Sequence, residues 1–305
     1  MGMSSAFGDG QVFRVPAVSH DEINCGLTPN HWFCPKTMII KNSRILLTGA
    51  SSGIGRALAL QLAEEGANLV LTARREHLLT ELKEEIQRHQ ASKSVKVLCI
   101  PGDITDLAVQ KRCLEAACEH LGGLDALVNN AGVGATALIE ATSDELARRL
   151  MEVNYFSALS LARQAVPLLR ESLVKKPTRA PIIVFLSSVV GFRGVPHYGA
   201  YSAAKFAITG LSESLRAELS GDGIDVLLVS PGTTETEFFD SLLESSSKPN
   251  MPKHNMVSPE SVAKKIVTAM KRRKKRIIPY FQAQILYYLN RLSPNLTDRV
   301  MSWYR

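Results

Sequence analysis

The segment Tyr201-Ser202-Ala203-Ala204-Lys205 sets a phenol and an ammonium four positions apart. On a helix that spacing brings both side chains to one face, close together. A tyrosine with an ordinary pKa near ~10 exchanges protons poorly at neutral pH, and an adjacent ammonium favours the phenolate and lowers that value. The pair therefore predicts a general acid or base at Tyr201, tuned by Lys205. Earlier, Ser187-Ser188 closes the apolar run Ile182-Ile183-Val184-Phe185-Leu186. Open α/β sheets gather ligand-binding residues at such strand ends, so Ser188 joins Tyr201 as a candidate ligand-contacting residue.

A second pattern points to a phosphate ligand. After Arg44-Ile45-Leu46-Leu47 comes Thr48-Gly49-Ala50-Ser51-Ser52-Gly53-Ile54-Gly55, and an amphipathic helical stretch follows. Glycines let the backbone turn tightly and approach a pyrophosphate, while the helix N-terminus offers free N–H groups and the positive end of its dipole. Thr48, Gly49, Ser51, Ser52, Gly53, Ile54 and Gly55 are therefore expected around a dinucleotide. In NAD-selective sites an acid about 20 residues onward takes the adenosine ribose hydroxyls. Here the second strand ends Leu71-Thr72-Ala73-Arg74-Arg75 with no acid. Arg74 and Arg75 suit the 2′-phosphate of NADP(H), because guanidinium groups bind phosphate through paired, charge-assisted hydrogen bonds. NADP(H) is expected in preference to NAD(H).

Asn129-Asn130-Ala131-Gly132 follows a third apolar run, and Asn154 stands in a later helical stretch. With the glycine turn, Ser188, Tyr201 and Lys205, this combination resembles the short-chain dehydrogenase/reductase family over roughly residues 41–280. The resemblance implies hydride transfer between the nicotinamide and a carbonyl or alcohol, with the protein supplying orientation, oxygen stabilisation and the proton. It implies that Tyr201 exchanges the proton, Ser188 hydrogen-bonds the substrate oxygen, Lys205 holds the nicotinamide ribose and Asn154 supports a water linking Lys205 to a proton relay. Asp103 and Ile104 match the adenine contact, and Asn130, Ala131 and Gly132 the ribose side. Pro231, Gly232, Thr234 and Thr236 match the segment that orients the carboxamide, Thr234 replacing the more usual small aliphatic residue. Relatives of this kind are homodimers or homotetramers.

These groups need a frame. Short β-branched or Leu-rich runs alternate with helical stretches, the pattern of one doubly wound parallel sheet, Rossmann-type, with helices on both faces. Strands are expected at 44–48, 68–72, 95–100, 125–128, 181–186, 224–229 and 276–280. Helices are expected at 53–65, 75–89, 106–121, 144–174, 199–220 and 259–273. Residues 1–40 read as an extension, 41–280 as the oxidoreductase domain and 281–305 as an amphipathic helical extension. Met38, just before Ile39-Ile40, is an alternative chain start.

A chain of 305 residues with 45% apolar residues can bury a large core. Five cysteines without paired spacing indicate neither a disulfide framework nor a zinc site, so no metal is expected and a reducing, cytoplasmic setting is the simpler reading. The net charge of +7 arises from Lys264, Lys265 and the run 271–276, eight cations without an intervening acid. The rest is near neutral, which argues against a nucleic-acid-binding body.

Val133, Phe192, His197, Tyr198, Phe238 and Phe239 surround the expected crevice and point to a small, mainly apolar ketone or alcohol. Readings that remain open are a 3-oxoacyl or sphingoid-base reductase and, in another class, a non-catalytic NADP-binding scaffold or redox sensor. Phe281, Ile285, Tyr288, Leu289 and Leu292 recur at helical spacing beside the basic run. That face packs against protein or rests peripherally on an anionic membrane surface.

Overall fold

A computed structural model describes residues 37–89, 94–175, 180–235, 242–247 and 256–303. The expected extension thus falls mostly outside the described residues. Its last residues do not behave as an extension: Met38 and Ile40 are buried in the core, and the Met38 N–H donates to the Lys271 carbonyl at 2.9 Å.

Seven parallel strands lie in the order β3-β2-β1-β4-β5-β6-β7. They are β1 Arg44–Thr48, β2 Asn68–Ala73, β3 Val97–Pro101, β4 Ala126–Asn129, β5 Ile182–Leu186, β6 Asp225–Val229 and β7 Arg276–Ile277. The helices are α1 Gly53–Glu64, α2 Glu76–Arg88, α3 Leu107–Leu121, α4 Asp144–Met151, α5 Ser157–Lys175, α6 Gly199–Glu218, α7 Pro259–Lys271, α8 Phe281–Leu292 and α9 Pro294–Ser302. Successive strand side chains point to opposite faces. Accordingly Ile45, Leu47, Val128 and Val184 pack with α1, α2 and α7, while Leu46, Leu127, Ile183 and Phe185 pack with α3, α5 and α6. Burial on both faces explains why the strands read as continuous apolar runs. Strand order reverses between β1 and β4, which opens a crevice at their carboxyl ends.

Three expected elements differ. The single helix at 144–174 is broken by a π-helical turn, Glu152–Phe156, where the Ser157 N–H reaches the Glu152 carbonyl. The last strand stops at Ile277 because Pro279 has no N–H to extend a ladder. The single C-terminal helix is two, since Ser293 is non-helical and Pro294 opens α9.

Candidate active site

A cleft of about 450 Å³ runs across the carboxyl ends of the strands, from the glycine turn after β1 to the N-terminal turn of α6. At its phosphate end the backbone itself forms the wall. Gly49 and Gly53 have φ of +66° and +53°, and a Cβ at Gly55 would fall 2.1 Å from the Gly49 carbonyl oxygen. Ser52 at the start of α1 makes no side-chain cap, leaving the first-turn N–H groups available to an anion. Arg75 reaches over this turn, donating to Ser52 Oγ at 2.7 Å and Ser51 Oγ at 3.3 Å, and Arg74 lines the cleft beside it. The turn therefore fits a dinucleotide phosphate.

Along the cleft, Asp103 Oδ1 accepts from the Thr105 N–H and hydroxyl at 3.0 and 2.8 Å. Its Oδ2 accepts from Arg149 Nη2 at 2.8 Å. Burial works to raise the Asp103 pKa, but these hydrogen bonds together hold it below the ordinary carboxylate value. Ile104, Asn130, Ala131 and Gly132 also line the cleft, as do Pro231, Gly232 and Thr234.

Thr48 does not. Its hydroxyl accepts from the N–H groups of Asn130 and Ala131 at 3.0 and 2.9 Å, while Asn130 Nδ2 donates to the carbonyls of Thr48 and Gly49 at 2.9 Å each. These bonds tie the turn after β1 to the turn after β4. Thr236, Phe238 and Phe239 lie outside the described residues.

At the reaction end, Tyr201 and Lys205 share one face of α6, with Lys205 Nζ 5.7 Å from the Tyr201 ring centroid. The Ser188 side chain is close enough to the Tyr201 hydroxyl to act to lower its pKa. Burial raises the Tyr201 pKa well above the ordinary phenol value, against a smaller lowering by Ser188. Lys205 Nζ donates to the Leu186 carbonyl at 3.1 Å, and burial pulls its pKa down to about 8. The expected depression of Tyr201 by a full neighbouring ammonium is therefore not what these groups produce among themselves. Burial outweighs the lowering by Ser188, and the net shift at Tyr201 is upward.

Asn154 sits on the π-helical turn behind the cleft wall, not on its surface. Its Oδ1 accepts from the Val133 N–H at 3.2 Å, and Nδ2 donates to the carbonyls of Val133 and Leu150 at 2.9 Å each. It braces the turn after β4 against Lys205: a Cβ on Gly132 would fall 2.8 Å from Asn154 Oδ1 and 3.2 Å from Lys205 Nζ.

A family model described as short chain dehydrogenase matches residues 43–247. The chain belongs to the short-chain dehydrogenase family. It is a dehydrogenase/reductase acting between C=O and CH–OH groups. A bovine 3-ketodihydrosphingosine reductase is 33% identical over 239 residues, 76% of this chain and 70% of that protein. An alcohol dehydrogenase from the archaeon Thermococcus sibiricus, solved with 5-hydroxy-NADP, has 25% identity and a TM-score of 0.67, covering 77% of this chain and 95% of that one. A short-chain dehydrogenase/reductase from Burkholderia phymatum, solved with NAD, shares the fold at a TM-score of 0.75 and 23% identity, over 85% and 96% of the two chains.

In this short-chain dehydrogenase several groups near the site carried no legible signal. Arg149 meets Asp103 across 46 positions, which no local spacing encodes. Ser187 Oγ donates to the Lys205 carbonyl at 3.0 Å, and a Cβ on Gly191 would fall 2.2 Å from that hydroxyl. These contacts fix α6 against the loop after β5, and so fix Tyr201 relative to Ser188.

On the substrate side, Val133, Ala135, Leu146, Leu150, Val190, Val195 and Tyr198 form an apolar cluster with Tyr201. Phe192 instead packs edge-on against Tyr287, at 5.1 Å between centroids. His197 holds φ +67° and its carbonyl accepts from the Ala137 N–H at 2.8 Å. Part of the long excursion after β6 returns here, with the Leu243 N–H donating to the Gly134 carbonyl and the Thr136 N–H to Glu244, each at 2.9 Å.

Proposed function

We propose that this chain is an NADP(H)-dependent reductase of an apolar, lipid-like ketone, with Tyr201 as the proton donor. The observation that carries the reading is the single cleft joining an arginine-covered phosphate turn to a buried phenol. NADPH when bound supplies the hydride that reaches the carbonyl carbon. As the C=O electron pair moves to oxygen, the Ser188 hydroxyl and the Tyr201 hydroxyl hydrogen-bond the developing alkoxide, and Tyr201 delivers its proton to that oxygen. The Lys205 ammonium stabilises the phenolate that remains. Asn154 keeps Gly132 and Val133 in register with Lys205. Preorganised donors of this kind count most where water is excluded.

The apolar lining around Tyr201 supports a lipid-like substrate, and the bovine relative's name makes 3-ketodihydrosphingosine the first ketone to try. Arg74 and Arg75, with no acid at the end of β2, support NADP(H). The test is nicotinamide absorbance with a panel of long-chain amino ketones, 3-oxoacyl thioesters and steroid ketones against NADPH and NADH. Turnover is expected with NADPH, and Tyr201→Phe is expected to reduce it by about 10²–10⁴-fold, the usual worth of a positioned acid. Replacing both arginines with glutamate is expected to raise the KM for NADPH more than ten-fold and to leave that for NADH within a few-fold. Equal shifts for both cofactors would remove the 2′-phosphate assignment. NADPH binding without turnover of any carbonyl would favour a cofactor-binding scaffold.

A further inference from the structure

The C-terminal helices α8 and α9 present an apolar face that nothing in the described chain covers. Ala283 and Leu286 of α8, and Val300 and Met301 of α9, turn inward. Asn290 Nδ2 donates to the Phe192 carbonyl at 3.1 Å, and Arg193 bonds both Asn290 and Asp298. The pair is thus anchored firmly on the body. Its outward side is the anomaly: Phe281, Ile285, Tyr288 and Leu292 are 69%, 53%, 62% and 85% exposed. They stand at i, i+4, i+7 and i+11, one continuous stripe along the helix. Leu296 and Trp303 of α9 are also exposed. Single exposed apolar residues need no explanation, but a contiguous row does.

Charge selects the occupant. Between Lys271 and Trp303 the sequence has eight cations and a single acid, Asp298. That acid is taken by Arg193. Lys271, Arg273 and Arg276 are paired with Glu65, Asp225 and Glu213. Arg272, Lys274, Lys275, Arg291 and Arg299 are exposed and have no carboxylate partner among the described residues. An aromatic-rich apolar stripe with surplus positive charge matches an interface of acyl chains beneath anionic headgroups. We infer that α8 lies in the surface of an anionic membrane, with Phe281, Ile285, Tyr288 and Leu292 entering the acyl boundary. Among the described residues no helix is long and apolar enough to cross a membrane, so the contact is peripheral.

The placement has a consequence for the site. Leu286, Val300 and Met301 pack into the same apolar cluster as Tyr198 and Tyr201. If the lipid-like ketone reading holds, the bilayer lies against the roof of the substrate pocket. The surface contact itself does not depend on that reading.

The test is sedimentation of the full chain with vesicles of phosphatidylcholine alone or mixed with phosphatidylglycerol. It is compared with a variant carrying Phe281→Ser, Ile285→Asn, Tyr288→Glu and Leu292→Glu. The wild type is expected to sediment at least ten-fold more with the anionic vesicles than with the neutral ones. The variant, its circular dichroism and native mass unchanged, is expected to stay in solution and to keep its NADPH turnover of a small water-soluble ketone. Wild type remaining in solution, or sedimenting no better than the variant, overturns the proposal. So does a native mass halved in the variant, which would give the stripe to a second copy. Because vesicle binding is read without turnover, failure here is distinct from failure of the reductase reading.

Discussion

At the scale of single residues, the proposed role of Lys205 carries a cost in stability. Burial pulls its pKa from the ordinary lysine value down to about 8, a difference that corresponds to about 3 kcal/mol of unfavourable charging at neutral pH. Because the folded value is the lower one, the unfolded chain binds more protons between about pH 8 and the ordinary lysine value, so this group's cost shrinks as pH rises through that window. Lys205→Met is expected to raise thermal stability at pH 7 by about 1–3 kcal/mol, after losing the hydrogen bond to Leu186. Its reductase rate is expected to fall at least about 10²-fold. The pH profile checks the same assignment. Tyr201 is held above the ordinary phenol range, so it stays protonated in alkali while the Lys205 ammonium is lost. Reduction is expected to decline above about pH 8, and a flat profile through pH 9 would separate Lys205 from the rate.

At the scale of elements, what was legible in the sequence follows from how far apart the cooperating residues lie. Tyr201 and Lys205 could be read together because helical spacing alone brings them to one face. The glycine turn could be read because strand, turn and helix are contiguous. Strand positions were legible within a few residues because both sheet faces are covered, which makes each strand a continuous apolar run. The π-helical turn at Glu152–Phe156 had no such signal, since an i→i+5 bond leaves the apolar periodicity on both sides nearly intact. The bracing role of Asn154 and the pairing of Arg149 with Asp103 depend on packing of the π-helical turn and α4 against the turns after β4 and β3, which only the assembled sheet supplies. Gly132 tests this packing. Gly132→Ala is expected to push on both Asn154 and Lys205, costing about 1–3 kcal/mol of stability and lowering kcat more than it raises the KM for ketone. Loss of stability with kcat intact would mean that the turn can shift without moving Lys205.

At the scale of the whole molecule, the two ends of the sheet are specialised for different tasks. The carboxyl ends carry the cleft. The amino ends carry a buried ion pair, in which Arg44 Nε and Nη2 donate to Asp125 Oδ2 and Oδ1 at 2.9 and 2.6 Å. The Arg44 backbone N–H donates to the same carboxylate, as does Ser172. Burial works to raise the Asp125 pKa, yet these bonds hold it below the ordinary value. Breaking a buried pair leaves a charge without compensation, whereas removing both partners often costs little. Arg44→Met is therefore expected to destabilise the fold by about 3–5 kcal/mol, and adding Asp125→Leu to recover most of that loss. Neither change touches the cleft, so kcat well below the unfolding temperature should stay within about two-fold of wild type. The sign of the pH effect follows from the depressed carboxylate. The pair's contribution is complete above the ordinary aspartate value and fades as pH falls through the lower folded value. Chemical denaturation across pH 2–6 should therefore show a steeper acid loss in the wild type than in the double variant. Parallel curves would take the acid sensitivity away from the Arg44–Asp125 pair and leave it to exposed carboxylates such as those on α2.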